Sequence, residues 1–235
     1  MTFLEECKMA KSFKSKSIKH LSNIFIVEDH PVFREGLRQV VNREADLKVC
    51  GEAGDYEVAL RGITRLHPDL ALVDISLPGK SGLDLIRKLR SLANKVKLLI
   101  VSMHDEALYA DRVLRAGGDG YIMKQEDPEE IVHAIRDVLG GHIYVSEEVM
   151  EARVNGDGAK SKPNGKNRLL DQLTDTELEI LELLGRGKSQ QQVSKQLRLG
   201  AGAVASHRTR IRKKLKLRNE EALTRYAAGW VGADR

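Results

Sequence analysis

The stretch I-F-I-V-E-D-H-P, residues 24–31, runs four apolar residues into two acids and a proline. The apolar run does not alternate with polar residues, as expected of a strand buried on both faces. Pro31 suits the first turn of a helix, where its missing N–H is no loss. The pattern recurs along the chain. Apolar runs at 24–27, 47–50, 70–73, 98–101 and 121–123 alternate with amphipathic helical patterns at roughly 31–43, 55–66, 81–92, 105–116 and 128–139. Five strand–helix units predict an α/β fold with a doubly wound, five-stranded parallel sheet.

In such sheets, sites form outside the carboxyl ends of the strands. Glu28 and Asp29 follow the first run, Asp74 the third, Ser102 the fourth and Lys124 the fifth. Each has an ordinary reading alone: a turn residue, a helix cap or a solvated charge. Three carboxylates, a hydroxyl and an ammonium at the strand ends of one sheet instead point to a single crevice. Clustered carboxylates need a cation, and hard oxygen ligands suit Mg²⁺. Lys124 offers a point charge for a phosphoryl oxygen, and Ser102 a hydroxyl donor. Asp74, the central carboxylate, can attack phosphorus to give an acyl phosphate.

The stretches I-F-I-V-E-D-H-P-V-F-R-E-G-L (24–37), L-V-D-I-S-L-P-G-K-S-G (72–82), I-V-S (100–102) and G-Y-I-M-K (120–124) resemble a two-component response-regulator receiver domain. The resemblance covers essentially all of 24–144. It implies a CheY-like, flavodoxin-like fold and phosphorylation of Asp74 by a sensor histidine kinase. It also implies Mg²⁺ held by Glu28, Asp29, Asp74 and a backbone carbonyl near Ser76. Ser102 and Lys124 would contact the phosphoryl group, and Tyr121 would follow Ser102 as the switch aromatic. Gln125 stands where the family often has a proline. Gly117-Gly118 stands where one glycine is usual, which predicts a looser loop. His30 and His104 lie near the crevice and are assigned no chemistry.

From 173 the pattern becomes short helices. Thr174-x-x-Glu177 and Ser189-x-x-Gln192 read as capping boxes, and Gly187 suits a helix end. A third helix carries Val204, His207, Ile211 and Leu215 at spacings of three or four, and a last one runs roughly 220–229. Two short helices and a tight turn, the second helix basic, predict a small all-α helix-turn-helix domain. Residues 173–217 resemble the LuxR-type DNA-binding domain. A receiver followed by this domain is the NarL/FixJ class of response regulator, whose members are DNA-binding transcription regulators. Gly200 and Ala205 depart from the family's cap serine and base-approaching lysine. With Val204, His207, Ile211 and Leu215 inward, Ala201, Ala205, Ser206, Thr209, Arg212 and Lys213 face a major groove. Ala205, the Thr209 methyl and Ser206 are the candidates for base edges. Arg208, Arg210, Arg212, Lys213, Lys214 and Lys216 are the candidates for phosphates.

The composition agrees with two jobs. Of the 235 residues, 41% are hydrophobic and 31% charged, the mix of a globular protein. The net charge is −4 over 24–144 and +5 over 171–235, and 198–218 contains no acid. The expected organisation is a disordered basic tail (1–22), a receiver (23–144), a flexible linker (145–170) and a DNA-binding domain (171–235). Cys7 and Cys50 cannot build a disulfide framework. No apolar run approaches a membrane span or a secretory signal, so the expected compartment is cytoplasmic. The expected partners are a sensor histidine kinase, double-stranded DNA and a second copy of the chain once phosphorylated.

An alternative output is a protein contact, with the helix-turn-helix no longer reading DNA. An aspartate-nucleophile phosphatase would need a second acid two residues beyond Asp74. Ser76 stands there, so an enzyme acting on an external substrate is discarded.

Overall fold

The computed structural model describes residues 21–78, 80–154, 167–170 and 172–233. Five strands, β1 (Ser22–Val27), β2 (Leu47–Ala53), β3 (Leu70–Val73), β4 (Lys97–Ser102) and β5 (Gly120–Met123), form one parallel sheet in the order β2-β1-β3-β4-β5. The intervening helices are α1 (Pro31–Asn42), α2 (Tyr56–Leu66), α3 (Gly82–Ser91), α4 (Glu106–Ala116) and α5 (Pro128–Leu139). Every strand and helix expected in this region is present, with ends displaced by no more than a few residues.

The unalternating strands are apolar because both sheet faces are covered. Ile24, Ile26, Leu70, Leu72, Leu99 and Val101 pack with Leu37 and Val41 of α1 and Ile131, Ile135 and Val138 of α5. Phe25, Val27, Ala71, Val73, Leu98 and Ile100 pack with Ala59 and Ile63 of α2, Ile86 and Leu89 of α3, and Tyr109 and Val113 of α4. Each buried Val, Leu, Ile or Phe among them contributes about 1.5–3 kcal/mol relative to exposure. The register then fixes the site. Val27 pairs with Val73, so Glu28 and Asp29 emerge beside Asp74. Ser102 pairs with Met123, so it emerges beside Lys124.

Gly117-Gly118 does not loosen its loop. Gly117 ends α4 with φ +99°, and a Cβ on Gly118 would lie 2.5 Å from Val113 Cγ1. Arg90 braces the turn by donating to the Gly117 carbonyl at 2.8 Å and pairing with Asp119 at 2.8 Å. Two glycines are a packing requirement at this close approach.

The segment 145–170, expected to be a flexible linker, contains two helices, α6 (Glu147–Val154) and α7 (Asn167–Leu170). The chain is tied down before α6. The Tyr144 carbonyl accepts from Tyr121 N at 2.7 Å, the Ser146 amide donates to Glu106 at 2.7 Å, and Val145 and Val149 pack on the core. Residues 155–166, and the basic tail over 1–20, lie outside the described residues.

The last four helices are α8 (Asp175–Gly185), α9 (Gln190–Gln196), α10 (Ala201–Lys214) and α11 (Glu220–Ala233). Both expected capping boxes are formed, Thr174 with Glu177 and Ser189 with Gln192. Caps of this kind are worth about 1 kcal/mol each. Helix α10 opens at Gly200 without a side-chain cap. Leu178, Leu181, Val193, Val204, Ile211, Leu215, Leu223 and Ala227 form the core between these helices.

Lys214, expected to face phosphates, turns inward instead. Its Nζ lies 2.5 Å from Glu177 Oε2, on a side chain only 1% exposed. Burial pushes the Glu177 carboxyl up, but the Lys214 ammonium and the Thr174 amide outweigh it and hold the group below the usual carboxylate range. The pair therefore stabilises the fold above that range, and its contribution is lost as pH falls through the lowered value. Lys214→Ala should cost about 1–3 kcal/mol by leaving the buried Glu177 carboxylate with the Thr174 amide but without its counter-charge. It should also weaken the loss of stability on acidification, as read by thermal unfolding across pH.

Candidate functional site

The carboxyl ends of β1, β3, β4 and β5 bring Glu28, Asp29, Asp74, Ser102 and Lys124 into one crevice. Glu28 is 1% exposed and Asp74 is 4% exposed. Lys124 Nζ lies 2.6 Å from Glu28 Oε2 and 2.8 Å from Asp74 Oδ2. Burial raises Glu28, Asp74 adds to the rise, and Lys124 opposes both. Burial would lower Lys124, but the two carboxylates raise it. The crevice is thus short of positive charge.

Donor atoms of Glu28, Asp29, His30 and Asp74 lie within 4.8 Å of one another. Glu28 Oε2 and Asp29 Oδ1 are buried, with the Lys124 ammonium 2.6 Å from the first and the His30 ring 2.9 Å from the second. Such hard oxygens fit a divalent cation of the Mg²⁺ type. His30 is largely exposed. Ser76, expected to lend a backbone carbonyl, sits beside Asp74 and donates its amide to Asp74 Oδ1 at 3.3 Å.

Asp74 is placed by a glycine eight residues further along the chain. Gly82 N donates to the Ile75 carbonyl at 2.8 Å. A Cβ on Gly82 would lie 2.1 Å from the Asp74 carbonyl oxygen. Only a residue without a side chain lets α3 start this close to the acidic strand end.

Ser102 is fully buried, and its Oγ accepts from the His104 amide at 3.2 Å. Tyr121 is turned inward, and its hydroxyl donates to the His104 carbonyl at 2.7 Å. Both groups expected to move on phosphorylation therefore hold the backbone of His104.

His104, assigned no chemistry in the sequence, is buried at a domain boundary. Its Nδ1 lies 2.6 Å from Glu182 Oε2 and its Nε2 2.8 Å from Ser76 Oγ. The Ser76 hydroxyl donates to Glu179 Oε1 at 2.7 Å. With both ring nitrogens protonated, every donor in this chain has an acceptor. Burial opposes charge on the ring, but Glu179 and Glu182 outweigh it and push His104 up to about 9.

Asp175 completes the contact, 2.7 Å from Arg87 and 3.3 Å from Arg112. Arg112 also donates to the Leu173 carbonyl at 2.9 Å and the Leu170 carbonyl at 2.6 Å. Asp175, Glu179 and Glu182 fall at i, i+4 and i+7, one face of α8. That spacing is legible in the sequence, but nothing there names its partners, 63 to 103 residues away.

On α10, Ala201, Ala205, Ser206 and Lys213 are exposed and Thr209 is half-buried; Lys216, just past its end, is exposed too. The Ser206 and Thr209 hydroxyls donate back to the carbonyls of Gly202 and Ala205. Arg208 is mostly buried and pairs with Glu220 at 2.7 Å, and Arg212 lies 3.6 Å from the same carboxylate. Arg210 is exposed but lines a cleft toward Arg87 and Arg112. Of the expected phosphate contacts, Lys213 and Lys216 keep the freest placement. No helix among the described residues is long and apolar enough to cross a membrane.

The family described as response regulator receiver domain matches residues 24–136. That described as bacterial regulatory proteins, luxR family, matches residues 171–227. The chain is 31% identical over 219 residues to the nitrate/nitrite response regulator protein NarL of Escherichia coli K12, covering 91% of this chain and 96% of that one. It is 32% identical over 207 residues to the oxygen regulatory protein NreC of Staphylococcus carnosus, covering 87% and 95%. Among solved structures, a LuxR-family two-component response regulator from Aurantimonas sp. aligns with a TM-score of 0.54 and 32% identity, over 58% of this chain and 97% of that one. RcsB of Salmonella enterica aligns with a TM-score of 0.59 and 23% identity, over 88% and 98%.

Gly82→Ala should cost about 1–3 kcal/mol, the range for forcing atoms into a packed site. Denaturant unfolding should register that loss, and the amide resonances of Asp74 and Ile75 should shift. A neutral substitution would mean that α3 can withdraw freely from β3.

Proposed function

Because the chain belongs to the two-component response regulators of the NarL/FixJ class, with a receiver domain and a LuxR-type DNA-binding domain, we propose that Asp74 is its phosphoacceptor and that phosphorylation governs its binding to DNA. The observation that carries this reading is the ammonium of Lys124 seated between Asp74 and Glu28. It is a fixed positive charge beside a carboxylate at a strand end, where a phosphoryl oxygen would lie.

An Asp74 carboxylate oxygen attacks the phosphorus of a kinase phosphohistidine. The new P–O bond forms as the P–N bond breaks, and the electron pair leaves with the imidazole nitrogen. Glu28, Asp29, Asp74 and the Ser76 carbonyl are the groups to hold Mg²⁺, which would neutralise charge on the phosphoryl oxygens. Lys124 then turns from Asp74 to the phosphoryl group, and Ser102 donates its hydroxyl. That takes the Ser102 oxygen away from the His104 amide, and Tyr121 follows into the space. The chain catalyses only its own phosphorylation and dephosphorylation.

At the other end, α10 enters the major groove as half of a homodimer. Lys213, Lys216, Arg208, Arg210 and Arg212 serve phosphates, and Ala205, Ser206 and Thr209 serve base edges. Glu220 competes with DNA for Arg208 and Arg212.

Asp74→Asn should abolish label uptake from a small phosphodonor while leaving the circular dichroism spectrum unchanged. Persisting uptake would remove Asp74 as acceptor. Selection from a randomised duplex library should enrich an inverted repeat, more strongly with beryllofluoride present. Uniform, steeply salt-dependent retention would mean that α10 gives affinity without sequence. Glu220→Ala should raise affinity for any duplex several-fold and steepen its salt dependence, because two arginines are released. Filter binding between about 50 and 200 mM salt tests this.

A further inference from the structure

His30 brings an imidazole to the mouth of the crevice. It is the N-cap of α1, in extended backbone, and its side chain makes no capping bond. Its amide donates to Glu28 Oε1 at 3.0 Å, which holds the residue against the acids. The ring Nδ1 lies 2.9 Å from Asp29 Oδ1 and 3.4 Å from Glu28 Oε1. Asp29 Oδ2 faces Arg198 at 3.6 Å, so Oδ1 is the oxygen turned to the histidine. Two ligand atoms about 2.1 Å from one ion, at right angles to each other, stand about 3.0 Å apart. The ring and the two carboxylates therefore hold the spacing of neighbouring ligands. Donor atoms of all three and of Asp74 fit within 4.8 Å of one another. An ordinary ion pair would use the same atoms, but with the ring 74% exposed it would be worth little.

We propose that His30 is a ligand to the crevice cation, and that it strengthens the hold on borderline ions such as Fe²⁺, Co²⁺ and Zn²⁺ without strengthening that on Mg²⁺. This rests on the reading of Glu28, Asp29 and Asp74 as cation ligands. Carboxylates and waters serve Mg²⁺, which gains little from a nitrogen donor. Imidazole suits the later transition ions, whose affinity for nitrogen and oxygen donors rises along the series. The ligating ring is neutral with its proton on Nε2, so that Nδ1 offers its lone pair. Its exposure lets it turn onto an ion without disturbing the packed sheet, and solvent at the mouth leaves room for the remaining ligands. Which ion fills the crevice then depends on the supply of such metals as well as on Mg²⁺.

The test uses the full chain, titrated with Co²⁺ alone and with Mg²⁺ alone, beside His30→Gln and Asp74→Asn. Glutamine keeps a polar side chain of similar reach but has no imidazole. Co²⁺ affinity should fall in His30→Gln by at least the roughly 10–100-fold that loss of an outer-shell partner costs, with Mg²⁺ affinity nearly unchanged. Proton NMR of the Co²⁺-loaded chain should show the strongly shifted resonances of a ligated imidazole ring. They should be absent from His30→Gln, whose circular dichroism spectrum should match the wild type. A loaded wild type without those resonances, or a variant that keeps them, would overturn His30 as a ligand. An unchanged ratio of Co²⁺ to Mg²⁺ affinity in the variant would remove the selectivity. Co²⁺ binding that is absent from the wild type, or equally tight in Asp74→Asn, would overturn the crevice as the cation site, and the ligation by His30 with it.

Discussion

One ammonium holds the receiver crevice together. Glu28 and Asp74 are buried side by side, and their mutual repulsion in a poorly solvated place is relieved chiefly by Lys124. That arrangement demands a parallel sheet in this register. β1 must deliver Glu28 beside Asp74, and β5 must end where Lys124 reaches both. It demands Gly82, because α3 begins against the Asp74 carbonyl. The sheet's two apolar faces supply the stability on which such a charge cluster is carried, since the cluster alone contributes little or none of it.

Most of this was legible in the residues. The strand runs are apolar without alternation because helices cover both faces, and the polar residues that break each run are the ones the crevice uses. The caps at Thr174 and Ser189 were legible for a similar reason: a hydroxyl and a glutamate or glutamine three residues apart satisfy orphan amides locally. What could not be read was non-local. His104 looked like any isolated histidine, since its partners belong to a helix more than seventy residues on. Lys214 looked like one more member of a basic stripe, but its position on α10 faces Glu177. Gly117-Gly118 looked permissive, and is instead crowded by Val113 and braced by Arg90. The region 145–170 read as a flexible linker, yet the few apolar residues at its start are enough to seat α6.

Helix α8 shows how one element can serve two masters. Leu178 and Leu181 close the core of the helical domain, Glu177 holds Lys214 within it, and Asp175, Glu179 and Glu182 face the receiver. Acids buried at a boundary between domains are expensive without partners and specific with them. A surface of this kind pairs well with one arrangement and poorly with others, whereas an apolar boundary would tolerate sliding. The sheet thus meets the helical domain through groups that respond to charge, the one property a phosphoryl group changes most.

The outer face of α10 carries one more consequence. Ala201, Gly202 and Ala205 project almost nothing, and the hydroxyls of Ser206 and Thr209 are turned back on their own helix. Such a face lets the helix sit deep in a groove, but gives guanine no bidentate partner at its tip. On the reading proposed here, address information then comes from elsewhere: from thymine methyls, from how readily a stretch of duplex bends or narrows, and from the distance between two half-sites. Promoters recognised this way would share a stiffness and a spacing more than a string of letters.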